Sequence, residues 1–193
     1  HISAPSFLWL MLGRRNAEKI QKPLELLKRK GIIFVNEEIT KIELEKKTVK
    51  TTKNEFHYDY LIISLGAELV PENINGLSNG GYNLYHLEDV KKIRDNLKKL
   101  KNGKVVIVIS SSPFKCPAAP YEAALLLDYY FKKKGIREDI DLQIFTPETL
   151  PMPVAGQKIG KAIKQILEER GITFNLEKKV NSIDGKNKTI MFE

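Results

Sequence analysis

Apolar and polar positions along the chain repeat one four-part pattern: an apolar helical run, a basic end, a glycine, and a β-rich run. LELLKRKGIIFV, LDYYFKKKGIREDIDLQIF and IKQILEERGITF each follow it. Cations in a last helical turn offset the helix dipole, and the glycine that follows enters the left-handed region at no steric cost. Helices and strands joined by such short links predict parallel α/β layers. In the first part, periodicity predicts an amphipathic helix over residues 17–30, with a break or a fresh start at Pro23. A short strand is expected over 32–35. Alternation then predicts a β-meander over 39–44, 48–51 and 56–58, and the apolar run 60–64 predicts a buried strand ending at Leu65, Gly66 and Ala67. Pro, Asn and Gly between 70 and 82 predict a linker.

The second part opens with a charged helix over 87–100, whose Glu88 and Asp89 favour its N-terminus. An apolar strand over 105–109 then enters a polar, Pro-rich loop and leaves into an apolar helix. That layout presents a ligand at a helix N-terminus in dinucleotide folds. A strand (140–145), a Pro-rich loop, a helix (157–170) and a strand (173–176) continue it. Runs 180–183 and 189–192 flank Asp184 and Gly185, a hairpin signal. The expected division is into residues 1–82 and 83–193. The chain starts in a loop and stops within an unfinished element, so it reads as an internal fragment.

The net charge of +8 raises a nucleic-acid reading, but the cations cluster at helix ends and no aromatic-interleaved basic stripe accompanies them. No nucleic-acid partner is expected; an anionic membrane surface is the alternative for this charge. No apolar stretch approaches the roughly 20 residues that span a bilayer. Arg14 and Arg15 follow the early run 7–12, the reverse of a secretory signal. The expected location is cytoplasmic or peripheral to a membrane. A single cysteine excludes an internal disulfide framework, and His1, His57 and His86 lack ligand spacing, so no metal is expected.

That cysteine, Cys116, stands in the loop VVIVIS-SSPFKCPAAPYEAA, where a dinucleotide fold keeps its phosphate-binding glycines. Ser110, Ser112 and Lys115 occupy the positions that GxGxxG fills with glycine, each adding a Cβ where a pyrophosphate would lie. The position that holds the ribose-binding acid falls near Thr146, with Glu148 just beyond. A free cysteine is often an inert, buried hydrophobe. Here Lys115 and the approaching helix N-terminus favour the reactive thiolate instead. Tyr121 and Glu122 open that helix; Glu122 offsets the dipole there, with a proton acceptor as the second reading. The prolines Pro117, Pro120 and Pro153 set loop shape.

Three segments carry a resemblance that covers most of the chain. HYDYLIISLGAELVPENINGL is similar to the second flavin-domain motif of the pyridine nucleotide–disulfide oxidoreductase superfamily, and the strand at Lys104 sits where its second βαβ begins. PFKCPAAPYEAA resembles the Cys-Pro and Pro-Tyr-Glu stretch of sulfide:quinone oxidoreductases and flavocytochrome c sulfide dehydrogenases. IFTPETLPMPVAG and PSFLWLMLGRR look like the same group. The resemblance implies an α/β fold: a Rossmann-like βαβ, NAD-domain-like with its glycine motif lost, plus part of an FAD-binding domain with a β-meander. It implies FAD in the complete protein and no NAD, sulfide as substrate, and a quinone or cytochrome as acceptor. Peripheral membrane association would come through a C-terminal part beyond Glu193.

In that group the implied role of Cys116 is half of a disulfide facing the flavin, its partner and the first GxGxxG lying outside this chain, so the fragment alone is expected to be inactive. Leu65 and Gly66 would approach the cofactor by their backbone, the bland reading of Gly66 being a turn glycine. Ile39 would contact the adenine or simply be a core strand residue, and Pro5 and Ser6 would line the flavin. Two other functions compete. One is a type II NADH dehydrogenase or coenzyme A-disulfide reductase, disfavoured by the lost glycines and by the place of the cysteine. The other is a non-catalytic isolated domain.

Overall fold

The alternating run after residue 38 folds as read, because its apolar and polar positions suit a pleated ribbon. Strands β1 (Ile39–Glu43), β2 (Thr48–Thr51) and β3 (Glu55–His57) form an antiparallel meander in the order β1-β2-β3. Val49 lies opposite both Ile42 and Phe56, and the β1–β2 register shifts between Ile39 and Lys41. This is the centre of one of two compact units in the computed structural model, which describes residues 1–193. The first unit holds His1 and Lys22–Glu68; the second holds Ile2–Gln21 and Leu69–Glu193.

Three expectations for the first part are corrected. Residues 17–30 are not one helix: a short 3-10 turn (Glu18–Ile20) ends in extended Gln21, and a separate 3-10 helix (Leu24–Lys30) starts after Pro23. The ring and missing N–H of Pro23 forbid a continuous ladder. Gly31 closes the 3-10 helix at φ +75°, as its sequence predicts. Runs 32–35 and 60–64 carry a strand's composition but belong to no sheet, and the second is exposed rather than buried. A strand exists only through its neighbour's hydrogen bonds, and none is offered to these runs.

The second unit is built around a parallel sheet. Helix α1 (Phe7–Met11) is followed, after the first unit, by α2 (Leu77–Gly80) and α3 (Leu87–Lys99). Then come β4 (Gly103–Val108), α4 (Ala119–Lys134), β5 (Ile140–Phe145), α5 (Gln157–Glu169) and β6 (Thr173–Asn175). The strands lie in the order β4-β5-β6, with Val105 opposite Leu142, Ile107 opposite Ile144, and Ile144 opposite Phe174. Alternate residues of β5 (Ile140, Leu142, Ile144) are buried and join Leu10, Met11, Val90, Leu127, Phe131 and Leu167 in one core. Helix α1 packs on both α3 and α4. Residues 2–21 therefore belong with this unit by packing, and the compact units differ from the division at residue 82.

The basic helix ends do more than offset their own dipoles. The Lys134 ammonium donates to the carbonyls of Leu97, Lys98 and Leu100 at 2.9, 2.9 and 2.6 Å, capping α3. Arg137 donates to the carbonyls of Arg170 and Gly171 at 3.0 and 2.8 Å, capping α5. Last-turn carbonyls have no partner within their own helix, so a cation from a neighbour both satisfies them and fixes the packing. The hairpin of β7 (Val180–Asp184) and β8 (Thr189–Phe192) follows. The expected linker 70–82 contains α2, which lies directly on β7: the bridge Asn75–Ser182 joins them, and the α-carbons of Gly76 and Gly80 abut Ile183.

Candidate functional site

Cys116 lies in the loop between β4 and α4, three residues before the helix begins at Ala119. The thiol is free and exposed. Its backbone sits at φ +54°, a left-handed conformation uncommon for a residue with a Cβ. Two bonds hold the loop there. The Cys116 carbonyl accepts from the Ala119 N–H at 3.0 Å, and the Lys115 carbonyl accepts from the Tyr85 hydroxyl at 2.5 Å. Burial pushes the Tyr85 phenol up to about 12, and the neighbouring Cys116 charge adds to the shift. The phenol therefore keeps its proton and remains a donor across the neutral range. On the inner side, Phe114 packs against the core, so the loop is anchored on both flanks of an exposed thiol.

Behind the loop, the first turn of α4 is tied to the far end of β5. The Tyr121 hydroxyl donates to Glu148 Oε2 at 2.5 Å, and the Thr146 hydroxyl donates to the same oxygen at 3.2 Å. Tyr121, Thr146 and Glu148 are all buried. Burial first, and then the bond to Glu148, push the Tyr121 phenol far above its ordinary value. The acid that follows the second strand is thus turned inward onto a tyrosine and a threonine. Glu122 projects to solvent from the same helical turn.

The remaining predicted residues divide between the two units. Pro5 is exposed and Ser6 buried, immediately before α1 in the same unit as Cys116. Ile39, Leu65 and Gly66 lie in the first unit, Ile39 and Leu65 being exposed. Gly66 has φ +79°, and a Cβ built on it would meet nothing within 4 Å. Its requirement for glycine is conformational, and the open space leaves its backbone accessible to a ligand. Sequence reading missed Tyr85: nothing but an aromatic residue before a helix marks it, and its partner is thirty residues away. A concavity of about 470 Å³, lined by Trp9, Arg14, Arg15, Asn16 and Lys19, contains none of the predicted residues.

A parallel βαβ sheet with a ligand loop between its first strand and helix is the frame of the dinucleotide-binding flavoproteins. The chain belongs to the pyridine nucleotide-disulphide oxidoreductase family, whose profile matches residues 6–193. Within it, the chain is 30% identical to the mitochondrial sulfide:quinone oxidoreductase of Dictyostelium discoideum, over 96% of this chain and 43% of that protein. The crystal structure of the sulfide:quinone oxidoreductase from Aquifex aeolicus matches with a TM-score of 0.78 and 27% identity, covering 100% of this chain and 48% of that one. A type II NADH:quinone oxidoreductase of Staphylococcus haemolyticus is 24% identical over 85% of this chain and 44% of its own. The chain thus spans less than half the length of each of these relatives. No helix is long and apolar enough to cross a membrane.

Proposed function

We propose that this chain is part of an FAD-dependent oxidoreductase that oxidises sulfide through Cys116 and delivers the electrons to a quinone. The observation that carries the reading is the exposed thiol of Cys116, held by Tyr85 and Ala119 in the loop where a nicotinamide-binding domain keeps glycines. Cys116 forms a disulfide with a second cysteine outside these residues. Sulfide, as HS⁻, attacks that disulfide and the S–S bond breaks. One cysteine keeps the added sulfur as a persulfide, and the other leaves as a thiolate carrying the electron pair. FAD supplies the two-electron acceptor when bound. The open backbone at Gly66, with its positive φ, fits close approach of such a group, and Leu65, Ile39, Pro5 and Ser6 are the other residues assigned to it.

NAD has less support in the second unit. Ser110, Ser112 and Lys115 stand at the glycine positions, and Glu148 is engaged by Tyr121 and Thr146. A carboxylate already accepting two hydroxyls inside the protein is not presented to a ribose. The type II NADH reading makes the opposite prediction, so one experiment separates the two. In the complete polypeptide, stopped-flow reduction of the flavin is followed with sulfide and with NADH. Sulfide should bleach the oxidised flavin bands, and Cys116→Ser should slow that phase by at least about 10³-fold, as loss of a covalent nucleophile does. Unchanged sulfide reduction in the variant, or reduction by NADH alone, would overturn the reading. The 193-residue chain by itself should show no turnover. Membrane association, a cytochrome acceptor and a cytoplasmic location belong to the complete protein and are proposed only with it.

A further inference from the structure

The concavity lined by Trp9, Arg14, Arg15, Asn16 and Lys19 lies wholly within the second unit and shares no residue with the Cys116 loop. Its volume of about 470 Å³ falls in the range of ~300–1,000 Å³ common to small-ligand sites. Its lining holds three cations and no carboxylate. Glu18, the one acid in this stretch, acts on Arg94 of α3 instead. Arg14, Arg15 and Lys19 enter no ion pair, and neither their side chains nor that of Asn16 make a hydrogen bond within the protein. Trp9 is 38% exposed on the same wall, and its indole N–H is likewise without a protein partner.

Cations after a helix ordinarily serve its last carbonyls, as Lys134 and Arg137 do for α3 and α5. Arg14 and Arg15 do not, because backbone already closes the end of α1. The Gly13 N–H donates to the Leu10 carbonyl at 2.9 Å and the Arg14 N–H to the Trp9 carbonyl at 2.8 Å, with Gly13 at φ +71°. This Schellman arrangement satisfies those carbonyls without side chains. Buried Leu10, Met11 and Leu12 before the turn, and Ala17 and Ile20 after it, anchor the frame on which the cations stand. The Arg14 guanidinium is held further, 5.5 Å from the centroid of the Tyr129 ring. Guanidinium forks without partners suit phosphate oxygens, and an exposed indole suits an apolar or aromatic part of the same molecule. We infer that this concavity binds an organic phosphate, its anion on Arg14, Arg15 and Lys19, its remaining polar contact with Asn16, and its apolar part against Trp9. The phosphate comes from a soluble molecule or from a phospholipid headgroup. This inference is independent of the sulfide reading and stands or falls without any activity measurement.

Calorimetric titration of the complete polypeptide, in saturating FAD and at low salt, tests it with two probes. Phenyl phosphate should bind with a Kd below about 1 mM, and at least about threefold more tightly than inorganic phosphate, because only it offers Trp9 a ring. The double variant Arg15→Gln, Lys19→Gln should bind both probes at least about tenfold more weakly, through the loss of charge-assisted hydrogen bonds. Both side chains are exposed, so its melting temperature should match the parent's. In the parent itself, phenyl phosphate should slow the modification of Arg14 and Arg15 by phenylglyoxal, read by peptide mass. Vesicle sedimentation separates the two sources. Binding to phosphatidylglycerol but not phosphatidylcholine vesicles, lost in the double variant, assigns a headgroup; equal sedimentation of parent and variant assigns a soluble phosphate. The inference is overturned by no phenyl phosphate binding at about 10 mM, or by equal affinity for the two probes. Undiminished affinity in the double variant, or unaltered modification of both arginines, overturns it as well.

Discussion

Asp128 shows how much one side chain can hold together. It is fully buried in α4 and accepts from Lys132 at 2.9 Å, from Arg137 at 2.7 Å and from Arg170 at 3.4 Å. Burial opposes its ionisation, but the hydrogen bonds from Lys132 and Arg137 outweigh that and hold the carboxyl below its ordinary 3.8. A carboxylate depressed in the folded state contributes stability that is fully present above its unfolded value and is lost as pH falls through its folded one. Thermal melts from pH 7 downward should therefore lose part of their stability below about pH 4. Asp128→Asn should flatten that acid limb and cost about 3 kcal/mol at pH 7, since Arg137 is left without its charge partner. A variant as acid-sensitive as the parent would remove Asp128 from the account. Cys116 is the contrasting residue. Its place in the loop between a strand and a helix was legible in the chain, while Tyr85, which anchors the neighbouring carbonyl, came to light only in three dimensions.

Among elements, the segment read as a linker is the most revised. Two of its glycines, Gly76 and Gly80, serve close packing. Gly76 has φ +77°, and a Cβ there would lie 1.8 Å from the Ile183 carbonyl oxygen; at Gly80 it would lie 2.3 Å from Ile183 Cγ2. Backbone cannot yield as a flexible side chain can. Gly76→Ala should destabilise the second unit by about 2–4 kcal/mol, through strain at positive φ and loss of the α2–β7 contact. Denaturant titration reports this, and a change under about 0.5 kcal/mol would contradict the packing described. The helices α3 and α5 and the strand β5 were legible because each has one apolar face, and α4 because its apolar run ends in Lys132, Lys133, Lys134 and Gly135. Which carbonyls their terminal cations reach was not legible. Lys134 belongs by sequence to α4 yet serves α3, because the contact depends on how the helices cross.

Across the whole molecule, stability is unevenly divided. The second unit buries Leu10, Met11, Phe131, Leu142, Ile144 and Leu167 completely, whereas the first buries no apolar residue. A unit of fewer than about 60 residues without a core is marginal on its own. Limited proteolysis of the 193-residue chain should cut first between residues 22 and 68, leaving the part from residue 69 onward resistant for at least about ten times longer. Equal rates of loss from both units would count against this division.

The sequence by itself determined the α/β class, the meander, the βαβ order, the glycine caps and the loop that carries Cys116. All of these rest on local periodicity, on φ preferences, or on a short motif. Tertiary structure decided the rest, because it concerns groups far apart in the chain. Pairing denies strand status to residues 32–35 and 60–64 despite their composition. Tyr85 anchors the cysteine loop, Glu148 turns inward onto Tyr121, and residues 2–21 pack with the second unit. Hydrogen bonds and burial depend on neighbours that a local pattern cannot name.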